Sequence, residues 1–227
     1  MKAHAEHIYA IYKPKGPTSH DIVDAVRRIT GERRVGHAGT LDPAATGVLV
    51  VGVGREATKK LNEVVAKEKE YVAVVHLGEE SSTDDSEGAR AIKTVSRIPV
   101  LKDVKDAAKG FIGAIKQMPP SFSALKVKGV RAYKLAREQK LVTLIERPVM
   151  IHRIEVMHYA WPLLTLRVTT GPGVYIRALA RDMGRVLGVG GYLEDLERTR
   201  VGEFTKERAR TLEQFDDYWS GHGHGRN

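Results

Sequence analysis

One carboxylate, Asp42, stands in a stretch of small, turn-forming and hydroxyl residues that runs from residue 36 to residue 47. Pro43 follows it, fixes φ just beyond the acid and favours an extended backbone at Asp42. An acid held in a rigid loop can act as a nucleophile or as a general base. An ordinary Asx-type turn fits the same spacing, so the pattern alone leaves both interpretations open.

The elements that must position Asp42 follow from hydrophobic periodicity. Ser19 is a good N-cap for a helix that stops at Gly31, and Thr211 with Gln214 predicts a capping box for a last short helix. Strands and helices mix without strict βαβ alternation, which indicates a mixed α/β or α+β fold. Strands are predicted at 7–12, 48–53, 71–77, 149–160, 163–170 and 193–204, and further helices at 57–66, 103–112, 130–140 and 175–187.

The bulk composition restricts the class of protein. The 227 residues are 42% hydrophobic and 29% charged, which is typical of a soluble globular chain. No apolar run reaches the roughly 20 residues of a membrane span. The absence of cysteine excludes disulfides and zinc–thiolate sites and fits a cytoplasmic protein. The formal charge of +9 favours a polyanionic partner, although a basic protein that is merely soluble fits as well.

The segment GHAGTLDPAATGVL, which begins at residue 36, resembles motif II of the TruB family of RNA pseudouridine synthases, G-H-x-G-x-L-D-P-x-A-T-G-x-L. The resemblance implies that Asp42 is the essential catalytic residue and that His37 contacts the RNA near the flipped target base. It also implies the pseudouridine synthase fold, in which a large, mainly antiparallel mixed sheet is flanked by helices and carries a thumb insertion.

The resemblance runs from about Ile8 to Leu212, nearly the whole chain. We therefore expect a catalytic domain at 1–212, with the thumb at about 117–147, and a short helix with a flexible tail at 213–227. The sequence stops where many bacterial members continue into a PUA RNA-binding domain, so no such domain is expected.

Two further segments match family motifs around the target base. Lys69-Glu70-Tyr71 matches [KR]-x-Y and implies that Tyr71 lies against the base, whereas a tyrosine at this position is otherwise expected in a core. The segment GPGVYIRAL at 171–179 resembles G-x-Y-I-R-[ST]-L, which implies that Arg177 pairs with Asp42 and places Tyr175 among the substrate-binding residues. A guanidinium beside a carboxylate favours the charged carboxylate.

Two other segments carry supporting roles in the family. The segment KPKGPTS at 13–19 resembles motif I, K-P-x-G-x-[ST]-S, which implies a structural support for the catalytic loop rather than a catalytic role for Lys13. The segment LEDLERTRVG matches the end of the L-R-R-T-x-x-G motif and implies that Leu196 lines the base pocket. Glu197 stands where the family has the first arginine of that motif.

A basic segment follows the sequence QMPPSFSALK, which resembles the bacterial Q-x-P-P-x-[YF]-S-A-[LV]-K segment that opens the thumb. A stripe of cations on one helical face would contact RNA phosphates without reading the base sequence. A solvated basic helix fits the same pattern. The candidate phosphate-binding residues are Lys126, Lys128, Arg131, Lys134 and Arg137.

Together the resemblance implies a tRNA pseudouridine synthase that acts on the conserved uridine of the TΨC loop, on the T arm of tRNA. The expected enzyme needs no cofactor and no metal, has no obligatory protein partner or membrane association, and is a cytoplasmic monomer. Two alternatives stay open: a guide-RNA-dependent synthase of the archaeal and eukaryotic type, and a non-catalytic RNA-binding or RNA-folding protein. Activity on free tRNA without guide RNA would distinguish the expected enzyme from the first alternative. RNA annealing activity that is equal in the wild type and in Asp42→Asn would support the second alternative.

Overall fold

The computed structural model describes residues 7–120 and 144–222, together with the backbone of residues 126–127 and 130–131. It has a mixed α/β fold with a large, mainly antiparallel sheet, which confirms the predicted fold class. The chain divides into two compact units, Met1–Tyr71 with Leu196–Asn227 (unit 1) and Val72–Asp195 (unit 2). The expected boundaries of the catalytic domain and thumb stay predictions.

Five helices and thirteen strands occur among the described residues. The helices are α1 (Ser19–Thr30), α2 (Arg55–Val65), α3 (Leu101–Lys109), α4 (Ile176–Val186) and α5 (Leu212–Gly221). The strands are β1 (Ile8–Lys13), β2 (Val35–Ala38), β3 (Thr46–Val53), β4 (Lys69–Leu77), β5 (Glu79–Ser81), β6 (Arg90–Ile92), β7 (Gly113–Gln117), β8 (Lys126–Val127), β9 (Val130–Arg131), β10 (Arg147–Ala160), β11 (Leu163–Thr170), β12 (Gly191–Val201) and β13 (Phe204–Thr205).

In unit 1, β3 is the central strand. It pairs antiparallel with β1 and with β2, and in parallel with β12 through Glu197 and Arg198. Side chains alternate between the two faces of a strand, and both faces of β3 are covered. This explains why its sequence is a continuous apolar run rather than an alternation of apolar and polar residues.

Two hydrophobic clusters cover these faces. The first combines Leu49, Val51 and Val53 with buried side chains of α1 and with Phe215 and Trp219 of α5. The second combines Val48 and Val50 of β3 with Leu61 and Val64 of α2, and also includes Ala10, Ala38 and Val201. The strand that directly follows the Asp42 loop is therefore packed on both faces, which gives the loop a firm support.

The ends of the helices in unit 1 follow the sequence signals closely. Gly31 ends α1 in the left-handed conformation, with φ of 69°, as predicted. Thr211 and Gln214 form the expected capping box of α5. The prediction that Ser19 caps α1 is wrong, because Thr18 is the N-cap and forms a capping box with Asp21. This leaves the hydroxyl of Ser19 available for the Asp42 loop.

In unit 2, strands β4, β11, β10 and β7 lie in that order in the sheet. β10 pairs antiparallel with both β11 and β7. The inward positions of β11 are filled by Leu164, Leu166 and Val168, none of which is exposed. Helix α3 packs against β10 and α4. Among the residues that the structure describes, no helix has the length and apolar character needed to cross a membrane.

Three element predictions are corrected. Residues 35–38, which the sequence places in a loop, form β2, because pairing with the buried β3 overrides the low strand propensity of Gly36. The strand predicted across Gly202 instead ends at Val201 and turns back into β13. The helix predicted at 130–140 is wrong at its start, where β9 pairs with β8, and residues 132–140 lie outside the described part of the chain.

Candidate active site

The loop that carries Asp42 connects β2 to β3, and its backbone is fixed beside the acid. The hydroxyl of Ser19 donates to the carbonyl of Leu41 and accepts from the Leu41 amide, both at 2.9 Å. On the other side, the amide of Gly16 donates to the carbonyl of Pro43 at 2.9 Å. The half-buried Asp42 therefore lies between two residues that are each bonded to the segment of residues 16–19.

Lys13, the last residue of β1, holds the same loop from the interior of unit 1. Its side chain is fully buried, and its ammonium donates to the carbonyls of Ala45 at 2.7 Å, Pro43 at 3.1 Å and Pro14 at 2.9 Å. All three ammonium donors therefore have backbone acceptors. Burial lowers the pKa of Lys13 to about 8, against the opposing attraction of Asp42. This geometry gives Lys13 a structural role in the loop.

Arg198 is a second buried cation, with 2% of its surface exposed. Its Nε donates to the carbonyl of Val48 at 2.8 Å, and its Nη2 donates to the carbonyl of Gly39 at 2.9 Å. Burial lowers the pKa of Arg198, and the nearby phenol of Tyr71 opposes this shift. Arg198 thus bonds to the backbone on both sides of the loop and lies near one of the residues expected at the base.

Tyr71 lies on β4 and Leu196 on β12, and both side chains are almost completely buried in unit 1. The alternation of β4 places Lys69 on the same side of the strand as Tyr71. The ammonium of Lys69 donates to the carbonyls of Val65 and Lys67 at the end of α2, at 2.8 and 2.7 Å. Burial, followed by the charge of Arg198, lowers the pKa of Lys69 to about 8.

His37 projects from β2, opposite Val51 in the register with β3. Its Nδ1 is buried and has no hydrogen-bond partner among the residues that the structure describes. Burial lowers the pKa of His37, and the charges of Arg198 and His20 lower it further. The ring is therefore neutral at pH 7, with one nitrogen able to donate and the other able to accept.

In unit 2, Arg177 and Tyr175 lie at the start of α4. Gln117 holds the backbone of Tyr175 by two reciprocal hydrogen bonds, at 2.9 and 3.2 Å. The guanidinium of Arg177 is buried and pairs with Asp85 at 3.2 Å, and it also donates to the carbonyl of Thr83. The expected pairing of Arg177 with Asp42 is not tested by these contacts and stays a prediction.

The acidic loop that follows β5 therefore anchors arginines. Besides the pair of Asp85 and Arg177, Asp84 pairs with Arg181 at 2.7 Å and adopts a positive φ of 62°. Burial raises the pKa of Asp84, while Arg181 opposes the increase. No group of three or more His, Cys, Asp or Glu side chains that could hold a metal ion occurs in the described part of the chain.

Sequence reasoning assigned no role to Arg198 or Asp85. The spacing of Arg198 was a signal in the sequence, because a residue two positions after Leu196 lies on the same face of a strand. In the structure both residues of this face are buried, and the neighbouring positions are more exposed. Glu197, which replaces an arginine of the family motif, accepts from the hydroxyl of Tyr12 at 2.9 Å and pairs with Lys206. The thumb cations Lys126, Lys128, Arg131, Lys134 and Arg137 have side chains outside the described part of the chain.

Comparison with known proteins gives the class and then the family. Residues 27–176 match the model of the TruB family pseudouridylate synthase N-terminal domain, and residues 177–226 match that of the tRNA pseudouridylate synthase B C-terminal domain. Both models define the class as pseudouridylate synthases. The chain belongs to the TruB family, which confirms the resemblance of the Asp42 motif.

Curated relatives cover almost the whole chain. The tRNA pseudouridine synthase B of Mycobacteroides abscessus is 49% identical over 211 residues, which span 90% of this chain and 70% of the relative. The protein of the same name from Thermobifida fusca is 46% identical over 218 residues, 92% of this chain and 74% of the relative. Each match therefore covers about nine-tenths of this chain.

A solved structure is also similar. The crystal structure of a Cbf5-Nop10-Gar1 complex contains a chain that matches with a TM-score of 0.74 and 31% identity. The match covers 99% of this chain and 58% of that chain, so this chain spans a little over half the length of the solved relative. The similarity supports the fold described above.

Proposed function

We propose that this chain is a tRNA pseudouridine synthase that converts the conserved uridine of the TΨC loop to pseudouridine. Its membership of the TruB family and its similarity to two proteins named tRNA pseudouridine synthase B support the proposal. The observation that carries it is the Asp42 loop, whose motif matches the family and whose backbone is held by Ser19, Lys13 and Arg198. A rigid loop is what a group needs to react at a fixed position.

The reaction is an isomerisation that needs no added atom. The N1–C1′ bond of uridine breaks, the base rotates, and C5 bonds to C1′; C5 then loses its proton while N1 gains one. A base inside a stacked loop is inaccessible, so the target must leave its stack to reach Asp42. Asp42 attacks or deprotonates the nucleoside, and Tyr71 lies against the base, where its phenol assists removal of the C5 proton.

Two further residues of unit 1 complete the proposed base pocket. Leu196, which is buried on β12, provides an apolar contact for the ring of the base. His37 contacts the RNA near the flipped base. His37 is half-buried, so part of the residue stays accessible for such a contact, whereas its Nδ1 is buried. A neutral imidazole can make this contact without a charge.

The thumb cations supply the proposed contacts with RNA phosphates. The sequence places Lys134 and Arg137 among basic residues that recur every three positions. Such contacts position the RNA without reading its sequence, and each one contributes to the salt dependence of binding. The basic charge of the chain, +9, agrees with a polyanionic substrate.

Tritium release tests the proposed substrate. A tRNA transcript labelled at C5 of uridine is incubated with the full chain and no guide RNA, beside a transcript whose TΨC-loop uridine is replaced by cytidine. The proposal predicts stoichiometric release from the first transcript and none from the second. Equal release from both transcripts contradicts the proposed position. Release that requires an added guide RNA favours the guide-dependent alternative, and binding without any release favours the RNA-binding alternative.

We also infer that the enzyme is a cytoplasmic monomer that acts on tRNA without an obligatory protein partner. The Asp42 loop and the residues of the proposed base pocket belong to one chain, which supports this inference. Sedimentation of the purified chain with and without tRNA tests it. A dimer, or activity that appears only when a second protein is added, contradicts it.

A further inference from the structure

Arg198 reaches the Asp42 loop because β12 approaches β3 unusually closely. The two residues Arg198 and Gly47 are partners in the parallel register of these strands. Gly47 has φ of 106°, and a Cβ atom there would lie 2.2 Å from the carbonyl oxygen of Arg198. Only glycine fits at this position, and the close approach carries the arginine side chain into the interior of unit 1.

The guanidinium then closes the loop at both of its ends. Gly39 is the first residue after β2, and Val48 lies near the start of β3. Each residue accepts a hydrogen bond from Arg198 through its backbone carbonyl. A single planar group bonded to both carbonyls fixes the distance between them. The loop with Asp42 is thereby closed by Arg198 and supported from within by Lys13.

The same guanidinium contacts Tyr71. The phenol lies near the guanidinium, and its interaction with Arg198 opposes the effect of burial, which is the larger influence and lowers the pKa of Arg198. The ring of Tyr71 is thus connected to the backbone of the Asp42 loop through one side chain. This connection links the two residues that act on the base in the proposed function.

A cation in this interior is unfavourable unless its hydrogen bonds are satisfied. A packing role alone would be filled better by an apolar side chain. A lysine would retain the charge but lacks the planar fork of donors that reaches several acceptors in fixed directions. The combination of burial and two directed hydrogen bonds to backbone carbonyls therefore indicates a role that depends on the geometry of arginine.

We propose that Arg198 is a positioning residue that holds the Asp42 loop and the phenol of Tyr71 in fixed register, and so sets the rate of the chemical step. The inference rests on the proposed function, in which Asp42 and Tyr71 act on the same uridine. In this inference Arg198 acts on the reaction only through these two partners.

Single-turnover tritium release with enzyme in excess tests this role. Arg198→Lys should slow release by about 10- to 100-fold, because a small misplacement of reacting groups has a large effect on rate. The dissociation constant for the transcript should stay within a few fold. Arg200→Lys is the matched control, because Arg200 lies on the same strand, pairs with Glu68 and should retain the wild-type rate.

A double-mutant cycle separates positioning from a general loss of structure. In the Tyr71→Phe background, Arg198→Lys should slow release by a smaller factor than in the wild type, because the two residues act through one contact. Equal factors in both backgrounds, or an Arg198→Lys enzyme as fast as Arg200→Lys, contradict the inference. A wild type that releases no tritium contradicts the proposed function and removes the inference with it.

A measurement on the arginine itself decides the case if Arg198→Lys does not fold. The guanidinium signals of Arg198 in ¹⁵N–¹H spectra should be protected from exchange in the wild type. They should shift in Tyr71→Phe, while the signals of Arg200 should not. Unprotected Arg198 signals, or signals that are unchanged in Tyr71→Phe, contradict the proposed link.

Discussion

The ammonium of Lys13 lies 2.7 Å from the carbonyl oxygen of Ala45, three residues beyond Asp42. A buried charge thus supports the backbone of the loop from inside the unit. The pKa of Lys13 is lowered to about 8 by burial, and that of Lys69 is lowered to about 8 by burial as well. Both lysines therefore connect the stability of unit 1 to pH.

The free energy of unfolding should rise with pH between about 8 and 10. In this window the unfolded chain keeps both lysines protonated, since their ordinary pKa is 10.5, whereas the folded chain releases protons from about pH 8. The unfolded state binds more protons, so raising the pH favours folding. Above pH 10 the raised pKa of Tyr9, about 12, opposes this trend, because the unfolded tyrosine ionises first.

Urea unfolding at a series of pH values measures this slope. Lys13→Met is the informative variant, because it removes one of the two titrating groups and should reduce the slope. A wild-type stability that stays flat or falls between about pH 8 and 10 contradicts the prediction.

His37 should resist protonation. Burial lowers its pKa first, and the charge of Arg198 adds to the effect. Because the folded pKa lies below the ordinary value of 6.5, the unfolded chain binds the proton more readily as the pH falls through this range. The contribution of His37 to stability is therefore lost on acidification.

The titration of the His37 ring in ¹H–¹³C spectra, assigned with His37→Gln, tests this prediction. Arg198→Gln should raise the pKa of His37, and His20→Gln should raise it by less, because His20 is the smallest of the three causes. A wild-type pKa at the ordinary value, or a larger effect of His20→Gln, would show that the assigned causes are wrong.

Gly47→Ala should destabilise the protein by about 3 kcal/mol, because it combines an unfavourable backbone conformation with a steric overlap. The new methyl group would lie 2.2 Å from the carbonyl oxygen of Arg198. Gly16→Ala is a close control, because Gly16 has φ of 110° with nothing within 4 Å of the added Cβ. It should cost only about 1 kcal/mol, for the backbone alone.

Denaturant unfolding of the two alanine variants gives both values under identical conditions. The difference between them isolates the steric overlap with β12. Equal losses of stability would mean that β12 moves away from β3 without cost, which is incompatible with a tight register at Arg198.

Asp85→Asn should destabilise the protein by about 3 kcal/mol, because it removes a buried carboxylate that pairs with the buried guanidinium of Arg177. The two side chains are only 12% and 8% exposed. Asp106→Asn serves as the control, since Asp106 pairs with Lys102 and Lys109 at the surface of α3. Exposed pairs of this kind contribute little, so the control should stay close to the wild type.

Chemical denaturation of both variants compares the buried and the exposed pair directly. Similar midpoints for Asp85→Asn and Asp106→Asn would show that Arg177 does not depend on Asp85. A wild-type stability for Asp85→Asn would likewise show that the ion pair of Asp85 and Arg177 does not stabilise the fold.

Several parts of the fold could be predicted because local signals and tertiary packing agree. The apolar residues 48–53 predict β3, and the structure buries that strand on both faces. Gly31 and the pair of Thr211 and Gln214 predict helix ends that the structure confirms. Each of these signals depends on residues that are close together in the sequence.

Other parts depend on contacts that sequence patterns do not contain. Thr18 rather than Ser19 caps α1, because Ser19 bonds to Leu41, which is distant in sequence. The short β2 exists only because β3 offers it a partner. The cationic supports at Lys13 and Arg198 bond to backbone carbonyls, which every residue possesses, so residue types alone could not identify their acceptors.

The motif around Asp42 could be read directly from the sequence, since it matches its family pattern over consecutive positions. The position of the loop between β2 and β3, and the three side chains that hold it, come from the fold. Asp85 had no such motif, and only its contact with Arg177 connects it to a residue of interest.

The most direct test of the account is tritium release from C5-labelled tRNA by the wild type, Asp42→Asn and Asp24→Asn. Asp24 is the control carboxylate, because it pairs with Arg27 on α1 and has no proposed role in the chemistry. The account predicts stoichiometric release by the wild type and Asp24→Asn, and none by Asp42→Asn, although that variant still binds the transcript. Release by Asp42→Asn at the wild-type rate would contradict the central claim that Asp42 performs the reaction.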